Sequence, residues 1–236
     1  MPHRFPIPRW VPLLLVVALL PGCAKLEAPV RRDIEAWPPV LQPAPASRRF
    51  AISAERSEVR ILVYRAGPLA AFGHNHVIRA AGISGEVHLA PDFRRSVLAF
   101  RLPVRKFEVD PPAARAVEGE EFAAQPSDEA IAQTRGNLLG PAVLDAAHHP
   151  EIRVRSVRIV GPDWAPEVTL RIALRGAERE LAVPVALEVR EGELKATGTF
   201  SLSQREFGIE PFSILGGGLQ VADTLKIRFR IVAATR

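Results

Sequence analysis

The sequence predicts an all-β protein in which antiparallel strands form a sheet that closes on itself. Apolar and polar residues alternate through three consecutive segments between residues 168 and 203. A period of two over that length is typical of strands with one apolar face and one solvated face. The connections between the segments are short, which allows only antiparallel neighbours. Because no long amphipathic helix follows to cover the apolar face, we expect the sheet to curl into a barrel, which also removes exposed edges.

Residues 1–22 have the features of a bacterial lipoprotein signal peptide. Arg4 and Arg9 give a positively charged start, and the apolar run that follows, at about eleven residues, is too short to span a bilayer. The run ends in Leu-Pro-Gly-Cys, and Cys23 is the only cysteine of the chain. This ending resembles the lipobox of bacterial lipoproteins, whose cysteine is lipidated and becomes the N-terminus. The alternative is an ordinary secretory signal followed by an unpaired cysteine.

Residues 23–48 are predicted to be a lipidated, proline-rich tether that precedes a globular domain at 49–236. Prolines favour extended, semi-rigid chain, so the domain would stand away from a membrane held by the acyl chains on Cys23. We expect the protein on the periplasmic side of the cell envelope. Ala24 follows the cysteine in place of an acidic residue, and resemblance to enterobacterial sorting then favours the outer membrane.

The charge pattern argues against nucleic-acid binding. The formal net charge is +5, but basic residues such as Lys226, Arg228 and Arg230 alternate with apolar ones, as on the solvated face of a strand. A nucleic-acid surface would combine clustered basic residues with stacking aromatic side chains, whereas this exported chain has one tyrosine. Through the lipid anchor, the expected partner is a membrane. The sequence does not predict an oligomeric state.

The first half of the domain is predicted to contain four strands. They are expected at 50–54, at 58–65, from the Gly73-His74-Asn75-His76 tract through residue 89, and at 95–104. Residues 107–125 have no period and are predicted to form a long loop. The Gly216-Gly217-Gly218 run, later in the chain, is expected to be a mobile flap at the barrel rim.

A helical crossover is predicted before the last strands. Ser127 is a good N-cap, and the two acidic residues that follow it favour the positive end of a helix at 128–139. One further helical turn is expected at 141–147. The strand at 152–160 changes the phase of its apolar positions between Val154 and Val157, which predicts a β-bulge. The last strand is expected at 224–233.

The order of these motifs resembles the YceI-like family of bacterial polyisoprenoid-binding, lipocalin-like proteins. The similar segments are the crossover at 137–154, the hairpin with Leu-Arg-Gly and Pro-Val at 174–185, the Phe-Ser-Leu-Ser-Gln-Arg-Glu-Phe-Gly-Ile run at 200–209, and the closing strand at 225–231. The resemblance covers about residues 49–236. It implies an eight-stranded, or slightly larger, antiparallel lipocalin-like barrel with a short helical crossover. It also implies that the interior carries or stores a long isoprenoid-type lipid, such as a quinone or a polyprenyl lipid.

The inward strand positions are compatible with such a ligand because they are nearly all aliphatic. Gly85, Ala196 and Gly198 are small and are expected to leave space in the interior. The residues predicted to contact the lipid tail are Val183, Val185, Leu187, Phe200, Leu202, Ile227 and Phe229. The alternative is a fully packed barrel that binds other envelope proteins.

His74 and His76 share one face of a strand, and three roles remain open for them. They could be structural, they could contact the polar headgroup of the ligand, or they could bind a metal ion. Zinc needs at least three protein ligands in a catalytic site and four in a structural one. A second cluster, formed by Asp145, His148 and His149, could reach the same barrel end and supply them.

A catalytic function is not predicted. Ser201 and Ser203 lie on strand positions and lack the Gly-x-Ser-x-Gly elbow that exposes and activates a nucleophilic serine. Apart from the lipid and the metal alternative, no cofactor is indicated.

Overall fold

The segments with a period of two form antiparallel strands in the computed structural model, which describes residues 42–235. The helices are α1 (Pro112–Arg115) and α2 (Asp128–Leu139). The strands are β1 (Arg48–Ile52), β2 (Glu58–Val63), β3 (Arg65–Ala66), β4 (His76–Ala80), β5 (Ser84–Leu89), β6 (Val97–Pro103), β7 (Phe107–Val109), β8 (Glu151–Val160), β9 (Glu167–Leu174), β10 (Ala177–Pro184), β11 (Ala186–Arg190), β12 (Glu193–Ser203), β13 (Ser213–Ile214), β14 (Leu219–Val221) and β15 (Thr224–Ala234).

The large sheet is built around β15. On one side β15 pairs with β12 over its whole length, and on the other side it pairs with β2 and β1 in turn. The ladder continues from β1 through β5, β6, β8 and β9 to β10, and from β2 through β4 to β7. Every pairing is antiparallel, which confirms the predicted fold class.

The hydrogen-bonded ladder is not closed into a ring. β10 pairs with β9, and after Val185 the same stretch of chain continues as β11 and pairs with β12. The two ends of the ladder are therefore bridged by a bent strand. At the bend, the Pro184 carbonyl oxygen lies 2.6 Å from the point that a Cβ on Gly198 would occupy. This close approach brings β12 against the end of β10, and the sheet wraps around an apolar interior.

The hydrophobic core lies inside the wrapped sheet. Its fully buried members alternate with solvated residues along the strands, as in β8, where Ile152 and Val154 are buried and Arg153 is exposed. Burying each aliphatic or aromatic side chain of this size contributes about 1.5–3 kcal/mol. A second buried cluster around Phe50 and Leu194 lies where β1, β12 and β15 meet.

The predicted helix and bulge are confirmed. The Ala130 amide donates a 3.2 Å hydrogen bond to Ser127 Oγ, which caps α2 as its sequence predicted. In β8 the register with β9 shifts between Ser156 and Arg158, so Val157 is the extra residue of a bulge and is 43% exposed.

Three local predictions were wrong. The strand expected to run through residue 89 is interrupted at residues 81–83 and forms two strands, β4 and β5, and Gly82 in the interruption has a left-handed φ of 76°. Residues 141–147 form hydrogen-bonded turns instead of a helical turn, and Asp145 has a left-handed φ of 46°. The segment at 107–125 is an ordered layer that contains β7, α1 and a 3₁₀ turn at Glu120–Phe122.

This layer packs on the outer face of β2 and β4. Ala114 and Phe122 are buried there against Leu62 and Val77, which point away from the barrel interior. The Tyr64 and Phe122 rings meet edge to face, with centroids 5.4 Å apart. The apolar outward residues of β2 and β4, which break the solvated pattern expected of an outer face, are explained by this cover.

A second, three-stranded sheet was not predicted. β14 pairs with β13 on one side and β3 on the other, and each of these strands has two or three residues. Neither helix at residues 42–235 is long and apolar enough to cross a membrane. The predicted signal peptide at 1–22, Cys23 and most of the tether lie outside the described residues.

Candidate functional site

The interior of the wrapped sheet contains an apolar cavity with a volume of about 430 Å³. This volume lies within the range of about 300–1,000 Å³ that is typical of small-molecule and cofactor sites. Strands from both halves of the chain line it, and α2 and the turns after it add Leu138, Val143 and Leu144. The interior is therefore not fully packed, in contrast to the expectation for a barrel that serves only as a protein-binding scaffold.

Six of the seven predicted tail contacts lie on the cavity wall. They are Val185, Leu187, Phe200, Leu202, Ile227 and Phe229. Val183 is fully buried in the hydrophobic core and stands outside the residues that line the cavity. Contact of these side chains with a lipid remains a prediction.

Of the three small residues expected to leave space in the interior, Ala196 lines the cavity, but Gly85 and Gly198 do not create space in it. A Cβ on Gly198 would lie 2.6 Å from Phe229 Cζ, so this glycine makes room for the Phe229 ring. A Cβ on Gly85 would lie 2.2 Å from the Ala99 carbonyl oxygen, so Gly85 permits close contact between β5 and β6. The volume that a side chain would occupy at these two glycines is already filled by neighbouring protein atoms.

Polar groups in the cavity wall are few. They are Tyr64, Arg65, His74, His76, Ser96, Thr134, Asn137, Gln204 and Gln220. Four of them come from the segment at 64–76, where β2 leads into β4. The cavity therefore combines an apolar wall with a concentration of hydrogen-bonding groups in one segment, which is the usual arrangement for a ligand with one polar end.

His76 is held by a buried carboxylate. Its Nδ1 lies 2.6 Å from Asp110 Oδ2, and the Val77 amide donates a 2.8 Å hydrogen bond to Asp110 Oδ1. The Arg115 guanidinium also donates to Asp110 Oδ1 and forms a further 2.9 Å bond to the Asn75 carbonyl. Asp110 and Arg115 are 1% and 4% exposed.

The surroundings of Asp110 decide which nitrogen of His76 a ligand can meet. Burial alone would raise the pKa of Asp110, but hydrogen bonds from His76, the Val77 amide and Arg115 outweigh it and hold this pKa below its usual value. An ionised carboxylate only accepts hydrogen bonds, so Nδ1 of His76 carries a proton. Nε2 is then the nitrogen left for a ligand, and it accepts a hydrogen bond when the imidazole is neutral.

Asp110 and Arg115 were missed by sequence reasoning. Asp110 is 34 positions from His76 and lies in a segment without any period, so only the folded layer brings the two together. One signal was present: Asp110 stands before Pro111 and Pro112, at the point where β7 ends and a helix begins with proline.

The histidines do not form a metal site with the second cluster. The His74 and His76 rings are 6.3 Å apart between centroids, whereas His148 Nδ1 bonds to Asp145 at 2.9 Å. Among residues 42–235, no group of three or more histidine, cysteine, aspartate or glutamate side chains is arranged to hold a metal ion. His74 instead lines both the main cavity and a neighbouring polar recess of about 360 Å³, which Arg65, Asn75, Glu120 and Glu121 also line.

The fold and the cavity define the class of this protein: a lipocalin-like antiparallel β protein with an apolar internal site. The sequence matches the YceI-like domain over residues 50–233, and the chain belongs to the YceI-like family. A search of curated proteins gave no match.

Two solved structures show the same fold. BcnA from Burkholderia cenocepacia is similar with a TM-score of 0.58 and 14% sequence identity, over 78% of this chain and 99% of BcnA. A polyisoprenoid-binding domain from Saccharophagus degradans, implicated in plant cell wall breakdown, is similar with a TM-score of 0.54 and 10% identity. That alignment covers 79% of this chain and 98% of the domain.

Proposed function

We propose that this protein binds one long isoprenoid-type lipid, a quinone or a polyprenyl lipid, inside the sheet and carries or stores it in the bacterial envelope. The observation that supports this proposal most directly is the apolar cavity, with its polar groups concentrated at 64–76. Burial of an isoprenoid chain there would contribute about 25 cal/mol per Å² of apolar surface removed from water. The solved structure of a polyisoprenoid-binding domain with the same fold also supports this proposal.

The proposed orientation has the tail against the aliphatic wall and the headgroup beside His74 and His76. A headgroup that carries a hydroxyl, such as a polyprenol or the reduced form of a quinone, can donate a hydrogen bond to Nε2 of His76. Asp110 fixes the imidazole for this role, because it keeps the proton on Nδ1.

A pair of adjacent substitutions tests the lipid proposal. Val185 lines the cavity, and its neighbour Ala186 is exposed. Val185→Gln places an amide in the apolar wall, where loss of its hydrogen bonds to water costs about 1–3 kcal/mol, so bound lipid should fall by roughly tenfold. Ala186→Gln adds the same amide to the outside and should leave binding unchanged.

The measurement is the amount of isoprenoid lipid extracted by organic solvent per mole of purified protein. Equal amounts in wild type and in both variants would contradict the proposal that the lipid lies against Val185. No lipid in any of the proteins, even after quinone and polyprenol are offered, would favour an envelope protein that binds other partners.

The envelope location is a separate proposal. We propose that Cys23 is acylated and that the protein is held on the periplasmic side of the outer membrane, with Ala24 as the residue that favours this address. Cys23→Ala should move the protein from the membrane fraction to the soluble fraction. Identical fractionation of wild type and variant would contradict lipidation.

A further inference from the structure

The cavity reaches solvent between two loops. Most residues that line it are buried or half-buried, and the exposed ones are Arg65, Phe72, His74 and Ile214. These residues come from the segment after β2 and from β13, so the mouth of the cavity lies where these two parts of the chain meet.

The two loops are fixed to each other by the small sheet. β14 pairs with β3 through Gln220 and Ala66, and the Leu69 amide donates a 2.8 Å hydrogen bond to the Gly218 carbonyl. A Cβ on Gly67 would lie 2.7 Å from the same carbonyl oxygen, so the backbones are in direct contact. The mouth is therefore bordered by an ordered structure and not by independent loops.

Four large apolar side chains on these loops are exposed to solvent. Leu69, Phe72, Ile214 and Leu215, which we call the rim patch, are 37%, 80%, 46% and 73% exposed. Phe72 and Ile214 line the cavity as well, so the rim patch and the cavity wall form one continuous apolar surface. Exposed apolar surface of this kind, at the entrance of a binding site, marks a contact with a membrane or another apolar partner.

The stability of the fold does not explain why residue 215 is a leucine. Its φ is 54°, in the left-handed region that glycine, asparagine and aspartate adopt more easily than leucine. A leucine in this conformation strains the backbone, and its apolar side chain is largely exposed to water. Such a local conflict is expected at positions that serve function.

The charges around the rim patch fit a bilayer surface. Residues 64–76 and 211–222 contain no aspartate or glutamate. Arg65 donates hydrogen bonds to the neutral Ala71 and Gly73 carbonyls, at 3.4 and 2.7 Å, and adds a positive charge beside the rim patch. Glu120 and Glu121 lie outside these two segments and share the adjacent polar recess with Arg65. Apolar tips beside a basic residue and free of acids are typical of segments that insert at an anionic lipid surface.

We infer that the rim patch inserts into the surface of a lipid bilayer, so that the isoprenoid ligand enters and leaves the cavity without crossing water. This inference rests on the proposed function for the nature of the cargo. It adds the partner from which the cargo is exchanged, and it assigns a docking role to Leu215 and Leu69, which do not line the cavity.

The test compares uptake from a membrane with uptake from water. The full chain carrying Cys23→Ala, which removes the proposed acyl anchor, is offered ubiquinone either in vesicles of phosphatidylethanolamine and phosphatidylglycerol or as a cyclodextrin complex. Leu215→Asp should slow uptake from vesicles by roughly tenfold, the effect of one leucine lost from apolar contact. Its uptake from cyclodextrin should equal that of the parent protein, because Leu215 does not line the cavity.

Trp164→Asp is the matched control. Trp164 is 69% exposed but lies in the connection between β8 and β9, outside the rim patch. Uptake of ubiquinone from vesicles by the Trp164→Asp variant should equal that of the parent protein. Leu215→Gly provides a second variant, since glycine accepts the left-handed backbone and removes only the side chain.

Co-flotation of the same proteins with vesicles that contain no isoprenoid separates docking from cargo binding. Weaker flotation of both Leu215 variants, with Trp164→Asp unchanged, supports the docking surface even if no protein takes up ubiquinone from either source, in which case the proposed cargo is wrong. Vesicle uptake and flotation of Leu215→Asp equal to those of the parent protein would overturn the inference.

Discussion

Asp110 occupies a left-handed backbone conformation, with a φ of 53°, at the end of β7. Its carboxylate joins three parts of the chain, because it accepts hydrogen bonds from His76, from the Val77 amide and from Arg115. Arg115 extends this connection to the Asn75 and Ala124 carbonyls. One buried acidic residue thus ties the outer layer at 107–125 to the strand that carries the cavity histidine.

Asp110→Asn should therefore destabilise the protein by about 3 kcal/mol, since removing one partner of a buried ion pair leaves the other buried and uncompensated. Asparagine accepts the left-handed φ, so the loss is assigned to the charge and not to the backbone. The measurement is the free energy of unfolding in urea. Asp163→Asn, at an exposed aspartate between β8 and β9, should change it little.

The same residue predicts a pH dependence. The folded pKa of Asp110 lies below its unfolded value of about 3.9, so its contribution to stability is complete above that pH and disappears as pH falls through the folded pKa. Between about pH 5 and pH 2 the wild type should lose more unfolding free energy than Asp110→Asn. Parallel curves for the two proteins would contradict the assignment of the depressed pKa to this site.

Among the structural elements, β12 and β15 form the longest pairing, and a glycine opposite an aromatic residue shapes it. Gly198 pairs with Phe229, whose ring lies over the glycine and 6.3 Å from the Phe200 ring between centroids. The two rings are part of the cavity wall. The shape of the wall in this region therefore depends on the missing side chain at Gly198.

Gly198→Ala should destabilise the protein by about 1–3 kcal/mol, because the added Cβ would lie 2.6 Å from both Phe229 and the Pro184 carbonyl oxygen. Gly136→Ala is the control. Gly136 lies inside α2, and a Cβ added there would have no neighbouring atom within 4 Å, so alanine should stabilise by about 0.5–1 kcal/mol. Thermal unfolding of the two variants measures whether each substitution lowers or raises the stability of the protein. A stabilised Gly198→Ala would contradict the packing described for β12.

The elements that the sequence predicted well are those with a local signal. The cap at Ser127 and the phase change before Val157 are each encoded within a few residues, so α2 and the bulge in β8 were found. The break between β4 and β5 at Gly82 was missed because the residues on either side of it continue the apolar pattern of a strand. The second sheet could not be found, since strands of two or three residues are too short to show a period.

The residues of the candidate site also divide into those that a local sequence pattern predicts and those that it does not. Six cavity residues follow from strand alternation alone, because the inward face of a strand is fixed by its period. Val183 shares that period, yet it lies in the core, and no local pattern separates a cavity wall from a packed core. The Asp110–His76 contact and the rim patch depend on segments that meet only in the folded chain.

In the whole molecule, the three parts of the proposed site follow one another from the interior of the sheet to the opening of the cavity. The aliphatic wall lies deep in the sheet, the polar groups of 64–76 lie toward the opening, and the rim patch borders the opening itself. An amphipathic ligand with a long tail and a small headgroup fits this order. A compact polar ligand would leave most of the wall exposed to water.

Native mass spectrometry of the protein after mild extraction from the envelope measures directly whether the cavity is occupied. The expected result is an added mass equal to one isoprenoid lipid, which organic solvent removes and which is present on roughly tenfold less of the Val185→Gln protein. A protein that carries no added mass, and that gains none when quinone and polyprenol are supplied, would contradict it.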